Sequence, residues 1–306
     1  MVETWNDALT LFLTLCACCL IPILLRKAFK KNNQSVDSKN DDLYSKCTSP
    51  NCVRCQNYRI LDHQLTDKFI EISQIVHGDL SRIEQAIGTN ERSNRNQQPN
   101  VFFLPKLDPI KPFYAADDTD LAPDAQLIAN NFLDIYEEFL EVFNALQDGN
   151  VSGWLSNSVP TGNWYVFHLY NQGVKVPQNC TRCPRITKIL ENGLRKFIKE
   201  NAFGNAAFSV LEPGTHITEH FGPCNVRIRC HLGILTPPNC YLKVDGIKEQ
   251  WRQGQCLLFD DSFCHEAKHC GSDEPRAVFM VDLWHPDVTK PEMSCLNILF
   301  GLPKDE

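Results

Sequence analysis

The chain has 306 residues, 43% of them hydrophobic, so it can bury a core in one large domain or two smaller ones. Its formal net charge of −7 gives no reason to expect a nucleic-acid partner, because phosphate binding depends on clustered lysine and arginine. Its fifteen cysteines are spread along the chain, unlike those of a small disulfide scaffold or a zinc ribbon.

The N-terminus contains an uncharged apolar stretch at residues 8–25, which ends at the basic sequence "RKAFKK". Its length is near the lower limit for a membrane-spanning helix, about 17 to 25 residues. A cleaved signal peptide normally starts with basic residues, whereas this chain starts with the acidic "MVETWNDA". Residues 1–31 are therefore predicted to form a single-pass anchor with a basic flank, which places residues 8–25 in a lipid bilayer.

The residues alone do not determine on which side of the membrane the chain after the span lies. The basic cluster follows the span, and the positive-inside tendency would keep the bulk of the chain in the cytosol. Asn33, Asn150 and Asn179 begin glycosylation tripeptides, which matter only if the domain is lumenal.

Residues 32–100 form a second region, with three cysteines, an amphipathic helix and a polar linker at 89–100. The motifs 52-CVRC-55 and 180-CTRC-183 are far apart, and a metal or disulfide link between them is a minority alternative. Eight apolar residues at helical spacing predict one stripe of a helix, weakened by Gly78. The helix either forms a coiled-coil stalk, with self-association through residues 61–87, or packs on the main domain. The stripe consists of Leu61, Leu65, Phe69, Ile72, Val76, Leu80, Ile83 and Ile87.

Residues 101–306 are predicted to form one globular unit. Helical patterns lie around residues 124–147 and 187–200, and strand patterns dominate from Asn205 to Leu283. Asp245-Gly246 is a strong hairpin signal. Several short strands separated by turns predict a mainly β fold, a barrel or a jelly roll with flanking helices.

One predicted strand has two unlike faces, because Arg227, Arg229 and His231 alternate with apolar residues. In a closed β architecture, strands distant in sequence face a common interior. Five polar side chains can therefore converge there: His220, Arg229, His231, His265 and Arg276.

These residue types favour a particular chemistry. Imidazole suits iron, zinc, copper or nickel, and a two-histidine site leaves positions open for a chelating co-substrate and dioxygen. An arginine fork matches a carboxylate, so two arginines indicate a ligand with carboxylates at both ends, such as 2-oxoglutarate. The alternative is that His265 is a core histidine and that Arg227 or Arg276 lies solvated at a strand end.

Three motifs, "PGTHITEHFGPCNVRIRCHLG", "FDDSFCHEA" and "VFMVDLWHP", resemble the catalytic domain of the aspartyl/asparaginyl β-hydroxylase family. The resemblance covers roughly residues 101–295 and is nearest to its small membrane-anchored members, the aspartate β-hydroxylase domain-containing proteins. It implies a double-stranded β-helix of the jelly-roll or cupin type. The implied activity is that of an iron(II)- and 2-oxoglutarate-dependent dioxygenase that hydroxylates Asp or Asn side chains of proteins.

The resemblance also implies roles for individual residues. His220 and His265 would ligate iron, and Arg229 and His231 would hold the chelating end of 2-oxoglutarate. Ser209 and Arg276 would take its distal carboxylate, and Trp164 matches more loosely as a further contact. Most 2-oxoglutarate oxygenases have a carboxylate two residues after the first histidine, but this chain has Gly222, an absence that the family shares.

The resemblance leaves the substrate open. A lipid-hydroxylating oxygenase held near acyl chains by the anchor, or a non-catalytic binding protein that keeps the barrel, are the two alternatives. Membrane members of the family resemble type II proteins with a lumenal catalytic domain, so the resemblance favours the lumen of the endoplasmic reticulum over the cytosol.

Overall fold

The computed structural model describes residues 58–89, 93–117, 120–157, 159–271 and 273–301. The predicted anchor at residues 8–25, together with Cys52 and Cys55, lies outside these ranges. Within the described ranges, no helix combines the length and the apolar character needed to cross a membrane.

Two antiparallel sheets form the centre of the described part. The strands are β1 (Phe113–Tyr114), β2 (Trp154–Asn157), β3 (Trp164–Asn171), β4 (Val174–Lys175), β5 (Ala206–Leu211), β6 (His216–His220), β7 (Arg227–Leu235), β8 (Cys240–Val244), β9 (Ile247–Glu249), β10 (Cys256–Phe259), β11 (His265–His269) and β12 (Arg276–Trp284). The larger sheet has the strand order β1–β10–β7–β12–β5–β3–β2, with β4 paired to β3, and the smaller has the order β6–β11–β8–β9. This confirms the prediction of a mainly β fold.

The Asp-Gly signal produces the predicted hairpin between β8 and β9. Asp245 and Gly246 both have positive φ, 48° and 80°, and Val244 pairs with Ile247. Such a two-residue turn matches the right-handed twist of its flanking strands.

The inner faces of the two sheets pack against each other. Leu242, Val244 and Ala267 of the small sheet share a buried cluster with Leu211 and other residues of the large sheet. The alternation in β7 sends Ile228, Cys230 and Leu232 to the other face of the large sheet. The polar face with Arg227, Arg229 and His231 is therefore turned toward the small sheet, away from the helices.

Four helices cover the outer face of the large sheet: α3 (Ala122–Asn130), α4 (Phe132–Gln147), α5 (Pro177–Arg182) and α6 (Pro184–Asn192). The helical pattern at residues 124–147 is thus two helices. The Asn131 amide donates to the Leu127 carbonyl at 2.8 Å, and this local bond competes with helix continuation.

The second predicted helix, near residues 187–200, begins and ends earlier, as α6. The Glu138 carboxylate accepts the N–H groups of Arg185 and Ile186 at 2.8 and 3.0 Å, which caps its first turn. Beyond its end, the Asp124 carboxylate accepts the N–H groups of Arg195 and Lys196, both at 2.8 Å. Because these two N–H groups are bonded to Asp124, they do not bond to helix carbonyls, and the helix does not continue.

The apolar stripe of residues 61–87 forms two helices instead of one, α1 (Tyr58–Ser73) and α2 (Ser81–Gly88). Gly78 has a φ of +135°, and a Cβ there would overlap the Pro291 ring, so the chain turns between them. Leu65, Ile72, Leu80 and Ile83 are buried with residues of α7 (Lys290–Leu299). The packing supports the interpretation of helices laid on the main domain, and self-association stays a prediction.

Candidate metal and carboxylate site

His220 and His265 lie opposite each other on the paired strands β6 and β11, with ring centroids 4.0 Å apart. The Nδ1 of His220 is 2.8 Å from the Thr218 carbonyl, and the Nδ1 of His265 is 2.9 Å from the Phe263 carbonyl. A carbonyl oxygen only accepts, so both Nδ1 atoms carry the proton. In the neutral ring, Nε2 then keeps a lone pair, the arrangement in which imidazole binds a metal.

The two histidines differ in their surroundings. His220 is exposed at the end of its strand, whereas His265 is buried, with 5% of its surface exposed. Burial, together with the neighbouring His220, lowers the pKa of His265 to about 3. His265 is therefore neutral near pH 7, and metal ligation requires a neutral imidazole.

The position two residues after His220 has no room for a side chain. A Cβ on Gly222 would lie 2.5 Å from the carboxylate carbon of Asp261, whose backbone oxygen accepts the Gly222 N–H at 2.6 Å. Across the described ranges, no His, Cys, Asp or Glu joins the two histidines in a cluster of three. The described site thus offers two imidazoles as protein ligands.

Arg227 and Arg229 belong to a buried charge network with Asp261 and Asp282. Arg227 bonds to both carboxylates, through Nε to Asp261 at 3.1 Å and through Nη1 to Asp282 at 3.1 Å. Arg229 bonds to both oxygens of Asp282, at 2.8 and 3.0 Å. Burial would raise the pKa of Asp261, but the two guanidinium groups outweigh it and hold that pKa well below its usual range. The alternative of a solvated Arg227 is therefore wrong.

Arg276 is buried without a carboxylate partner among the described residues. It is 1% exposed, its Nη1 donates to the Ser209 carbonyl at 3.1 Å, and its Nε has no hydrogen-bond partner there. Its guanidinium lies 4.5 Å from the centre of the Trp251 ring. Burial lowers its pKa to about 9. A buried, uncompensated cation is costly, and this indicates a site for an anionic ligand.

His231 supplies a second buried donor beside Arg276. The Trp251 indole donates to its Nδ1 at 3.2 Å, so the proton of the neutral ring is on Nε2, which has no partner in the described part. Burial, with help from Arg276, lowers the pKa of His231 well below its usual value. Trp251 therefore contacts both His231 and Arg276, whose side chains each have an unpaired donor in the described part.

The predicted residues form a continuous path across the inner face. At one end, the Trp164 indole donates to the Ser209 hydroxyl at 3.0 Å, next to Arg276. At the other end, the Phe259 ring contacts the rings of both His231 and His265, at centroid distances of 5.0 and 5.8 Å. The structure thus brings Trp164, Ser209, Arg276 and His231 into line with the histidine pair, and it places Arg229 beside them in an ion pair.

Sequence reasoning missed Trp251 and Phe259, which complete this path. Trp251 lies between strands, where no periodicity indicates the direction of a side chain. Phe259 had a signal in the sequence, because it is the last residue of an apolar strand pattern and stands directly before the acidic pair Asp260-Asp261.

The sequence of the chain is similar to those of known proteins. The family model described as aspartyl/asparaginyl beta-hydroxylase matches residues 129–286. The chain belongs to the aspartyl/asparaginyl β-hydroxylase family. It is 45% identical over 266 residues to the human aspartate beta-hydroxylase domain-containing protein 2, covering 84% of this chain and 71% of that protein.

More distant members of the family match shorter stretches. The mouse aspartate beta-hydroxylase domain-containing protein 1 is 42% identical over 216 residues, covering 67% of this chain and 56% of that protein. The mouse aspartyl/asparaginyl beta-hydroxylase is 36% identical over 138 residues, which are 44% of this chain and 18% of that protein.

A solved structure of a hydroxylase superposes only weakly on the chain. A prolyl-4-hydroxylase from Pseudomonas putida covers 52% of this chain and 97% of its own, with a TM-score of 0.31 and 10% identity. An overlap this slight adds nothing to the assignment.

Proposed function

We propose that the protein is an iron(II)- and 2-oxoglutarate-dependent dioxygenase that hydroxylates aspartyl or asparaginyl side chains of proteins. The observation that carries this proposal is the path of polar groups along the inner face, from the histidine pair to Arg276. One end has two imidazole Nε2 atoms with free lone pairs, and the other has a buried guanidinium without a carboxylate partner among the described residues. Family membership supports the same reaction class.

The donor set fits iron(II). Two imidazoles with open positions around them are typical of oxygenase iron, whereas structural zinc takes four protein ligands. When bound, iron with 2-oxoglutarate and dioxygen supplies the oxidation that places one oxygen atom on a substrate C–H bond, while 2-oxoglutarate loses carbon dioxide to become succinate. His220 and His265 would hold the metal, and their Nδ1 bonds to backbone carbonyls would fix the ring orientation.

Arg276 and Ser209 would hold the distal carboxylate of 2-oxoglutarate. A planar guanidinium binds a carboxylate through two parallel hydrogen bonds, and the Arg276 Nε has no other described acceptor. Trp164 would orient the Ser209 hydroxyl by donating to its oxygen. Trp251 would form one wall, through its ring contact with the guanidinium.

His231 and Arg229 would face the keto acid end of the co-substrate. The His231 Nε2–H has no hydrogen-bond partner among the described residues, so it is available as a donor. Arg229 uses two of its guanidinium N–H groups to bond Asp282, so fewer donors remain for the co-substrate. We propose that Arg229 acts on the keto acid end chiefly through its positive charge. Water would complete the metal sphere, because Gly222 has no carboxylate.

The test is a comparison of histidine variants of the full chain. Iron(II) with 2-oxoglutarate should raise the thermal midpoint of the wild type, since a ligand that binds only the folded state stabilises it. His220→Ala and His265→Ala should lose both this rise and succinate formation. His216→Ala is the matched control, because His216 lies on the same strand as His220 but pairs with Glu266 at 2.8 Å. Equal responses in all three variants would refute the metal assignment.

Product analysis then separates the alternatives. Mass spectrometry of peptide libraries and of extracted lipids, each incubated with the active protein, should find added oxygen on Asp or Asn residues. Oxygen on acyl chains would replace the protein substrate by a lipid. Binding of 2-oxoglutarate without its decarboxylation would indicate the non-catalytic alternative.

A further inference from the structure

Residues 94–102, here called the strap, run outside the two sheets and contact the segment that follows His220. The Asn100 N–H donates to the Gly222 carbonyl and its side-chain amide to the Phe221 carbonyl, both at 3.0 Å. The Val101 N–H donates to the Pro223 carbonyl at 2.9 Å. Residues 94–100 of the strap belong to the predicted polar linker at 89–100, and the structure bonds them to the site.

The same strap contacts the turn that precedes His265. The Gln97 side chain is 1% exposed, and its amide donates to the Asp260 carboxylate at 2.7 Å. The Gln98 N–H donates to the Ser262 carbonyl at 3.0 Å, and Gln97 also forms a backbone bridge with Phe263. The strap is thus attached to a second segment, the turn Asp260–Phe263.

This turn connects directly to a metal-binding imidazole. The second oxygen of Asp260 accepts the Ser262 N–H at 2.8 Å, which closes the turn. The Phe263 carbonyl, at the end of the turn, accepts the Nδ1–H of His265 at 2.9 Å. A displacement of Asp260 would therefore reorient the His265 ring.

We infer that Gln97 and Asn100 are positioning residues, which set the relative placement of His265 and His220 by fixing the turn before one and the segment after the other. The inference rests on the proposed function, since it takes these histidines as the metal ligands. A two-ligand site has no third protein ligand to fix its geometry, so the groups around the histidines matter more. The strap lies outside residues 129–286, the part that the family model matches.

The experiment measures metal affinity, a property that a merely structural residue would leave unchanged. Manganese(II), which is stable in air, is titrated into the full chain with 2-oxoglutarate and followed by electron paramagnetic resonance. Gln97→Ala and Asn100→Ala should each raise the manganese dissociation constant by about 10-fold, the lower end of the effect of outer-shell partners of metal ligands.

Two matched controls separate the effect of Gln97 and Asn100 from the effect of removing any amide side chain. Asn179→Ala removes a buried amide whose Nδ2 bonds to the His168 carbonyl, away from the strap, and Asn96→Ala removes an exposed side chain of the strap itself. Both should bind manganese within twofold of the wild type. Asn100 is exposed, so its variant decides the inference if Gln97→Ala does not fold.

The outcomes distinguish the two proposals. A wild type that binds no manganese would refute the proposed function, and the inference with it. A wild type that binds manganese, with strap variants that bind it equally well, would refute the inference alone.

Discussion

Replacement of Arg276 by methionine should make the ligand-free protein more stable while it abolishes binding of 2-oxoglutarate. Burial lowers the pKa of Arg276 from 12.5 to about 9. At about 1.36 kcal/mol per pKa unit, this corresponds to about 5 kcal/mol of unfavourable free energy for the buried charge. The contact with the Trp251 ring, worth about 2 kcal/mol, is lost with the charge. We therefore expect a net gain of about 1 to 3 kcal/mol in the free energy of unfolding.

Arg227→Met is the matched control for this prediction. Arg227 is a buried arginine on the same inner face, but it bonds to Asp261 and Asp282. Its removal leaves two buried carboxylates short of a partner, which should cost about 3 to 5 kcal/mol. Urea denaturation of the three proteins without ligand measures both effects. If Arg276→Met is destabilised as strongly as Arg227→Met, the guanidinium has a structural partner and the reasoning is wrong.

The ligand half of the prediction uses Arg276→Lys as a second variant. Lysine keeps the positive charge but loses the planar fork. Loss of a buried charge-assisted contact costs about 2 to 5 kcal/mol, which raises the dissociation constant of 2-oxoglutarate by about 30-fold or more. Calorimetric titration of the metal-loaded protein measures this, and an affinity within about twofold of the wild type would remove Arg276 from the site.

Three further predictions address other parts of the molecule. Burial lowers the pKa of His285 to about 4, below its usual 6.5. The stability that it contributes as a neutral ring is therefore present above pH 6.5 and is lost as the pH falls toward 4. Urea denaturation across this range should show that the free energy of unfolding depends less on pH in His285→Gln than in the wild type. Gly222→Asp should lower the free energy of unfolding by about 1 to 3 kcal/mol without tightening manganese binding, because the new side chain meets the Asp261 carboxylate. Tighter manganese binding in this variant would refute the prediction. In a lumenal location, and with Asn33 replaced by glutamine to remove its tripeptide, glycosidase treatment should shift the protein with Asn150 but not the protein with Asn150→Gln. Asn150 is exposed, whereas Asn179 is buried with its amide bonded to the His168 carbonyl at 2.7 Å. A shift that survives when both Asn33 and Asn150 are replaced would contradict it.

Local sequence patterns determined the strands and the directions of their side chains. The alternation through residues 227–232 predicts one polar and one apolar face, because side chains of a strand point to opposite sides with a period of two. Asp245-Gly246 predicts a hairpin because few residues adopt positive φ at both central positions. Both features depend on neighbours in the chain, so they can be read without the fold. The motifs that carry the family resemblance likewise place His220, His265 and Arg276 among the candidates.

Only the tertiary structure decided which polar groups are paired and which are left for a ligand. Arg229 and Arg276 are both arginines on predicted strands, yet Arg229 bonds to Asp282, 53 positions away, and Arg276 has no carboxylate partner among the described residues. Gln97 reaches Asp260 across 163 positions, from a segment without periodicity. Contacts at such separations depend on how the strands and turns are packed, because a hydrogen bond needs a partner within about 3 Å in space, whatever its distance along the chain.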